Sequence, residues 1–272
     1  MMSPFIPVCL EAHNPSPMTG RGNNTYLLVP PGGDAMLIDA GVGDPRHLED
    51  IARELDARRA RLARVLVTHG HADHASGAPA LAAGHPNAAF AKCPWPEEDR
   101  KYAVVWQPLA DGDCVPFGDE AIVVLRTPGH APDHVAFWHE PTRTVFSGDL
   151  VVDGGSVMIH ASRGGNLVEY LASLERLLAL GPRALLPAHG APPDDPGALL
   201  AGYLEHRRMR EQQVVAALGG GRSSVQAIAE IIYDGLDPSL MGAARENVRA
   251  HLEKLKAEHR AIDDDDRWRL CG

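Results

Sequence analysis

Four side chains able to bind a metal fall within six residues of the segment Thr68-His69-Gly70-His71-Ala72-Asp73-His74. Imidazole and carboxylate are the ligands that borderline divalent cations prefer. In extended backbone, residues two apart point the same way, so His69 and His71 address one point, while Asp73 and His74 can turn toward a neighbouring one. Such a set can hold two ions side by side. Three more ligand-type residues follow, each beside a strand-like run and next to small or turn residues. They are His130 in Thr127-Pro128-Gly129-His130, Asp149 in Phe146-Ser147-Gly148-Asp149, and His189 in Pro187-Ala188-His189-Gly190. Glycine permits close backbone approach and proline fixes a turn. Any one of the three alone reads as a capped turn or a surface histidine; in this order they read as a site.

The elements that must position these residues are legible in the hydrophobic periodicity. Residues 25–29 and 35–39 read as strands joined by Pro30-Pro31-Gly32-Gly33, and 47–57 has helical spacing. The run 64–67 is a strand leading into the histidine segment, and 76–84 is a small Ala-rich helix ending at Gly84. Residues 121–126, 135–138, 144–146 and 184–186 are further strands. Asn166-x-x-Glu169 opens a helix in the manner of a capping box, with Leu167, Leu171, Leu174, Leu177 and Leu178 on one face. The turn-rich stretch 191–197 marks a linker. Beyond it the spacing predicts helices over 198–218, 225–233 and 240–258, then a hairpin around the aspartates 263–266. Three helices and a hairpin are the plan of a winged helix, so the chain divides into domains 1–196 and 197–272.

Of 272 residues, 44% are apolar and 23% charged, a globular composition. No apolar run approaches the roughly 18 residues of a membrane span, and the first residues lack a basic region followed by an apolar core. Cys9, Cys93, Cys114 and Cys271 form no C-x-x-C pair, which argues against a disulfide scaffold or a cysteine-based zinc site. The expectation is a reduced, cytoplasmic protein with no membrane partner. The net charge of −10 is carried almost wholly by residues 1–196, because 197–272 holds 11 basic and 12 acidic residues. An acidic body is poorly suited to gripping a phosphate backbone non-specifically.

The motif H-x-H-x-D-H at 69–74, continued through His130, Asp149 and His189, resembles the metallo-β-lactamase superfamily. That resemblance implies an α/β fold, a four-layer αβ/βα sandwich with the site at one edge. It implies that His69, His71 and His130 bind one divalent ion, that Asp73, His74 and His189 bind a second, and that Asp149 bridges them. A water or hydroxide between the ions is then the nucleophile. Zinc is the default metal, and iron or manganese also suit the ligands. Asp73 and His134 are the expected catalytic residues; His134, four residues after His130, either moves a proton or bonds a nearby backbone group. Asp39, at the end of its strand, is expected to support a ligand without touching metal.

The segments Asn14-Pro15-Ser16-Pro17-Met18-Thr19, Gly22-Asn23-Asn24-Thr25-Tyr26-Leu27, Leu37-Ile38-Asp39 and Asp133-His134 further resemble the β-lactamase-like protein 2 family. So does His206-Arg207-x-x-Arg210-Glu211-Gln212-Gln213. That family carries a winged-helix-like C-terminal domain, and its relatives have been assigned both to RNA cleavage and to thioester hydrolysis. The resemblance implies a dinuclear hydrolase, and antibiotic hydrolysis is disfavoured. True β-lactamases usually replace the bridging aspartate by cysteine or serine, and they require export.

For substrate, the residues favour a small ester or thioester, with a metal-dependent endoribonuclease for single-stranded RNA as the alternative. RNA needs a positive track and aromatic faces for stacking, yet aromatics are 5% of the chain. The basic residues of helix 240–258 interleave with glutamates, and the four aspartates of the hairpin repel phosphate. An acyl substrate needs a small pocket with one or two cations. The candidates are Arg163, in the loop 154–165, and His206, Arg207 and Arg210 on one long helix. Arg207 and Arg210, three apart, share a face that suits either an anion or a salt bridge. The C-terminal domain is expected to narrow the mouth of the site or to mediate a homodimer.

Overall fold

The computed structural model describes residues 5–16, 19–152 and 154–271, so Pro17 and Met18 of the Asn14–Thr19 motif lie outside the described residues. Two compact units emerge, the first comprising Met1–Thr127, Asp133–Gly155 and Gly181–Pro196, the second Pro128–Pro132, Ser156–Leu180 and Gly197–Gly272. The turn 128–132 and the helix that follows Asn166 group with the C-terminal helices.

In the first unit a six-stranded sheet runs in the order β1 (Val8–Glu11), β2 (Asn24–Leu28), β3 (Asp34–Ile38), β4 (Arg61–Val67), β5 (Ala89–Lys92), β6 (Trp106–Pro108). From β3 onward neighbours are parallel, with connections through α1 (Pro45–Ala57), α2 (Ala72–Ala75), α3 (Ala78–Gly84) and α4 (Pro96–Asp99). Pro45 sits in the first turn of α1, and the Asp44 side chain accepts from Arg46 N–H, an N-cap in the ordinary sense. Successive strand residues face opposite sides. Leu37, Val65 and Val67 therefore pack with Ile51 and Leu55 of α1 and Leu81 of α3, while Met36, Ile38 and Leu66 face the other way.

What they face is a second sheet, in the order β11 (Ala184–Pro187), β10 (Thr144–Gly148), β9 (Val135–His139), β8 (Glu120–Arg126), β7 (Cys114–Phe117). Its Ile122, Val124, Val135, Phe137 and Phe146 share one core with Met36, Ile38 and Leu66. The strands β1, β5, β6 and β7 have no counterpart in the sequence periodicity. They are three or four residues long, too short for alternation to show.

The second unit holds α5 (Leu167–Leu180), α6 (Pro196–Gly219), α7 (Val225–Ile232), α8 (Met241–Ala257) and the hairpin β12 (Ala261–Asp264) and β13 (Arg267–Leu270). Val214, Leu218, Ile228, Val248, Leu252, Leu255 and Trp268 form its core, close to the expected three-helix and hairpin plan. The hairpin turn explains two of the four aspartates. Asp265 and Asp266 have positive φ of 49° and 61°, a region Asp tolerates better than most side chains. No described helix is long and apolar enough to cross a membrane.

Candidate metal centre

The centre is built on the carboxyl ends of parallel strands. β3 and β4 lie side by side, so the residue after β3, Asp39, meets the residue after β4, Thr68. Asp39 accepts from Thr68 N–H at 2.8 Å and from its hydroxyl at 3.0 Å, while Asp39 N–H donates to Leu66 O at 2.8 Å. The histidine segment starts there in extended backbone, and His69 Nε2 lies 2.9 Å from His71 Nδ1. α2 begins at Ala72, and its helical turn swings Asp73 and His74 to a second point. Ala40 N–H to His74 O and Val135 N–H to Thr68 O, both 2.8 Å, tie the loop to both sheets.

His74 is fully buried and its Nδ1 donates to Asp39 Oδ2 at 2.9 Å. That bond selects the tautomer and aims Nε2 inward, the usual way a carboxylate orients a ligating imidazole. His74 Nε2 lies 3.3 Å from Asp149 Oδ1 and 3.5 Å from Asp73 Oδ2. His189 Nε2 repeats the pattern, 3.3 Å from Asp149 Oδ1 and 3.4 Å from Asp73 Oδ2. Ligand atoms of His69, His74 and Asp149 fall within 4.8 Å of one another, as do those of Asp73, His74 and His189.

The electrostatics call for cations. Burial opposes a charge on His74, yet Asp149, Asp73 and Asp39 around it raise its pKa well above the ordinary imidazole value. Burial likewise opposes charge on His189, and Asp149 and Asp73 overcome it, raising its pKa to about 10. Asp73 and Asp149 are held low against their burial, chiefly by His74 and with His189 adding to it. A nest of carboxylates that pulls protons onto buried imidazoles is a nest that divalent cations fit, with nitrogen and oxygen donors already converged.

The supports were only partly anticipated. Asn23 is buried and donates from Nδ2 to Asp73 Oδ2 at 3.1 Å; Asn14 Nδ2 donates to Asn23 Oδ1 at 2.7 Å, which fixes the amide's direction. Asn24 and the Tyr26 hydroxyl donate to Pro187 O, at 3.0 and 2.7 Å, anchoring the turn that carries His189. These asparagines and the tyrosine stand in the quoted family motifs, without an assigned role. Lys92 was missed outright. Fully buried, it pairs with Asp133 at 2.9 Å and Asp99 at 2.5 Å, while Tyr102 OH donates to Gly70 O at 3.0 Å inside the histidine segment. A lysine ending an otherwise apolar strand was the available signal.

His134, expected as a catalytic residue or as a partner of a nearby backbone group, is bonded at both ring nitrogens. It is fully buried, and Asp149 N–H donates to its Nε2 at 3.1 Å. Nε2 therefore carries the lone pair and Nδ1 the hydrogen, which goes to Thr127 Oγ1 at 2.9 Å. His130 stands in the turn between β8 and β9, and its Nδ1 bonds Met158 O at 2.9 Å.

The arginine face is packed against protein. Arg207, one of the two arginines read as suiting either an anion or a salt bridge, is 2% exposed, bonds Val157 O and Asn247 Oδ1, and lies over Tyr170. Arg210 lies over Tyr233 and donates to His206 and Gln213. Both guanidiniums, with His206, are engaged inside the second unit. Arg163 is exposed on the 3-10 turn Ala161–Arg163.

The chain belongs to the metallo-β-lactamase superfamily, whose family model matches residues 18–189, and a beta-lactamase associated winged helix domain matches residues 224–268. It is 31% identical over 262 residues to the Beta-lactamase-like protein 2 homolog of Drosophila melanogaster, covering 90% of this chain and 86% of that one. It is 32% identical over 240 residues to the atrochrysone carboxyl ACP thioesterase of Aspergillus chevalieri, covering 87% and 73%. Among solved structures, a beta-lactamase domain protein from Burkholderia ambifaria matches with a TM-score of 0.81 at 24% identity, over 97% of this chain and 91% of that one. TTHA1623, solved in a di-iron-bound form, matches with a TM-score of 0.55 at 30% identity, over 74% and 97%. The superfamily's members are generally hydrolases and typically bind divalent metal ions.

Proposed function

We propose that the protein is a dinuclear metal-dependent hydrolase of small esters or thioesters. The observation that carries this reading is Asp149 Oδ1, which lies 3.3 Å from Nε2 of both His74 and His189. In this reading His69, His71 and His130 hold one ion, Asp73, His74 and His189 hold the other, and Asp149 lies between. His130 belongs to the set because Arg126 and Val135 pair across β8 and β9, so its short turn returns to the strand end it leaves. Zinc suits these donors, and the di-iron relative makes iron the competing metal. Divalent ions held there supply Lewis-acid polarisation of a carbonyl and acidify water near neutral pH.

The chain's own residues do the rest. Asp39 orients His74, Asn23 steadies Asp73 beside the reacting centre, and His134 holds the backbone of Asp149. The acyl class is favoured over RNA because the basic face of α8 is neutralised. Arg249 pairs with Asp266, Lys256 with Asp263, and Lys254 and Arg260 with Glu211 and Glu258. The thioesterase name of one relative points the same way. Arg163, without a side-chain partner among the described residues, is the proposed cation for an anionic acyl group.

The test is elemental analysis together with turnover of a thioester panel and of a fluorogenic single-stranded RNA, in wild type and Asp149→Ala. Two ions per chain and thioester cleavage are expected, with activity and at least one ion lost in the variant. RNA cut only by wild type, with every acyl substrate at background, reverses the substrate assignment.

A further inference from the structure

His130 is held by a part of the chain that carries no metal ligand. Its Nδ1 contacts a carbonyl oxygen, Met158 O at 2.9 Å. A carbonyl can only accept, so Nδ1 bears the hydrogen and the ligating lone pair is on Nε2. The direction of the Met158 carbonyl thus selects the tautomer of His130. Residues 154–160 include no helix or strand, so that direction is not set by a ladder of backbone bonds.

It is set by two side chains from α6 and α8. Arg207 donates one guanidinium arm to Val157 O and the other to Asn247 Oδ1 at 3.4 Å. The same Asn247 oxygen accepts Ile159 N–H at 3.0 Å. Both peptides flanking Met158 are therefore gripped, and Val157, Ile159 and Arg207 are all buried. Tyr170 of α5 lies under the guanidinium, 5.2 Å from ring centroid to Cζ. The turn of His130 is pinned from the same side, with Asn166 N–H to Gly129 O at 2.8 Å and Ser173 Oγ to Pro128 O at 2.7 Å. All of these residues belong to the second unit.

We propose that Arg207 and Asn247 are positioning residues for the metal centre: they clamp the strap Val157–Ile159 so that the Met158 carbonyl holds His130 as an Nε2 ligand. This rests on the reading of His130 as a ligand. It gives the His206–Gln213 motif a role at the metal without contact with metal or substrate. Partners that orient a ligating histidine typically change metal affinity by about 10- to 100-fold when removed.

The test uses the full chain and reads metal, not turnover. Zinc content and zinc loss to a chelator are measured for wild type, His130→Ala, Arg207→Met, Asn247→Leu, Asn247→Asp and Lys254→Met, with circular dichroism and melting temperature alongside. His130→Ala should lose one ion. Arg207→Met and Asn247→Leu should release one ion about 10- to 100-fold more readily and retain the other. Asn247→Asp, which keeps the acceptor oxygen, should stay within a few-fold of wild type and remains informative if the leucine variant does not fold. Lys254→Met breaks a bridge between the same two helices, to Glu211 at 2.6 Å, and should leave both ions in place. If His130→Ala loses an ion while Arg207→Met and Asn247→Leu hold both as wild type does, the clamp is wrong. If His130→Ala itself keeps both ions, the ligand reading fails, and the clamp with it.

Discussion

The backbone N–H of Asp149 donates to Nε2 of His134 at 3.1 Å, so a buried imidazole holds the carboxylate that both His74 and His189 face. The approach is tight, because a Cβ added to Gly148 would stand 2.6 Å from the same nitrogen. A ring with both nitrogens bonded in this way positions rather than carries protons. His134→Gln, which keeps an acceptor, should lower kcat and leave the shape of the pH–rate profile unchanged. Disappearance of one limb of that profile would mark a proton carrier instead.

Asp39 offers the corresponding test on the other side of the centre. Asp39→Asn keeps the size and one acceptor oxygen but removes the charge that orients His74. Metal affinity should fall by about 10- to 100-fold, measured by competition with a chelator. Unchanged affinity would show that Thr68 and the loop backbone suffice to orient His74.

Gly129 precedes His130 with φ +128°, and a Cβ there would stand 2.3 Å from the Cα and backbone nitrogen of Tyr170. Neither atom can yield without moving α5. Gly129→Ala should therefore cost about 3 kcal/mol in stability, read as a lowered melting temperature. At Gly84 an added Cβ meets none of the described residues within 4 Å and φ is not positive, so Gly84→Ala should stay within about 0.5 kcal/mol of wild type.

His251 sits in α8, 2% exposed, with neither ring nitrogen hydrogen-bonded to a described residue. Burial first, then the charges of Arg207, Lys254, His206 and Arg210, lower its pKa to about 3. The unfolded chain binds this proton near pH 6.5 and the folded chain does not, so stability is present above pH 6.5 and declines as pH falls toward 3. Between pH 7 and pH 5 the loss from this one group is about 2 kcal/mol. Denaturant titrations of wild type and His251→Leu at both pH values should show a smaller loss in the variant by that amount. An equal loss in both would place the acid sensitivity elsewhere.

A chain ending at Pro196 lacks Arg207 and Asn247, leaving Val157–Ile159 unclamped and the Tyr170 ring without its guanidinium. It should be poorly soluble and bind a hydrophobic dye. A truncated protein that stays soluble, binds metal as the full chain does and keeps full activity would show that residues 197–272 are an independent appendage.

The candidate ligand set was legible because its signal is local. Side chains of recognisable chemistry recur at spacings that extended backbone and one helical turn convert directly into direction, as His69, His71, Asp73 and His74 do. The strands around them were legible where an apolar run is long enough, as in β3 and β4, and not in β5, whose four residues end on a lysine. The arginine helix shows the other limit. Spacing places Arg207 and Arg210 on one face, yet it says nothing about whether that face meets water or protein. In the structure Arg207 is buried among Val157, Asn247 and Tyr170.

Sequence by itself determined the chemistry, through residue types that bind divalent ions in the order of a known family. Tertiary structure decided what holds these side chains: the Asp39 carboxylate on His74, the His134 ring under the Asp149 backbone, and the Met158 carbonyl on His130. The reason is physical. A carbonyl belongs to every residue and leaves no mark in the sequence, so which one faces a given histidine is known only when the chain has folded around it.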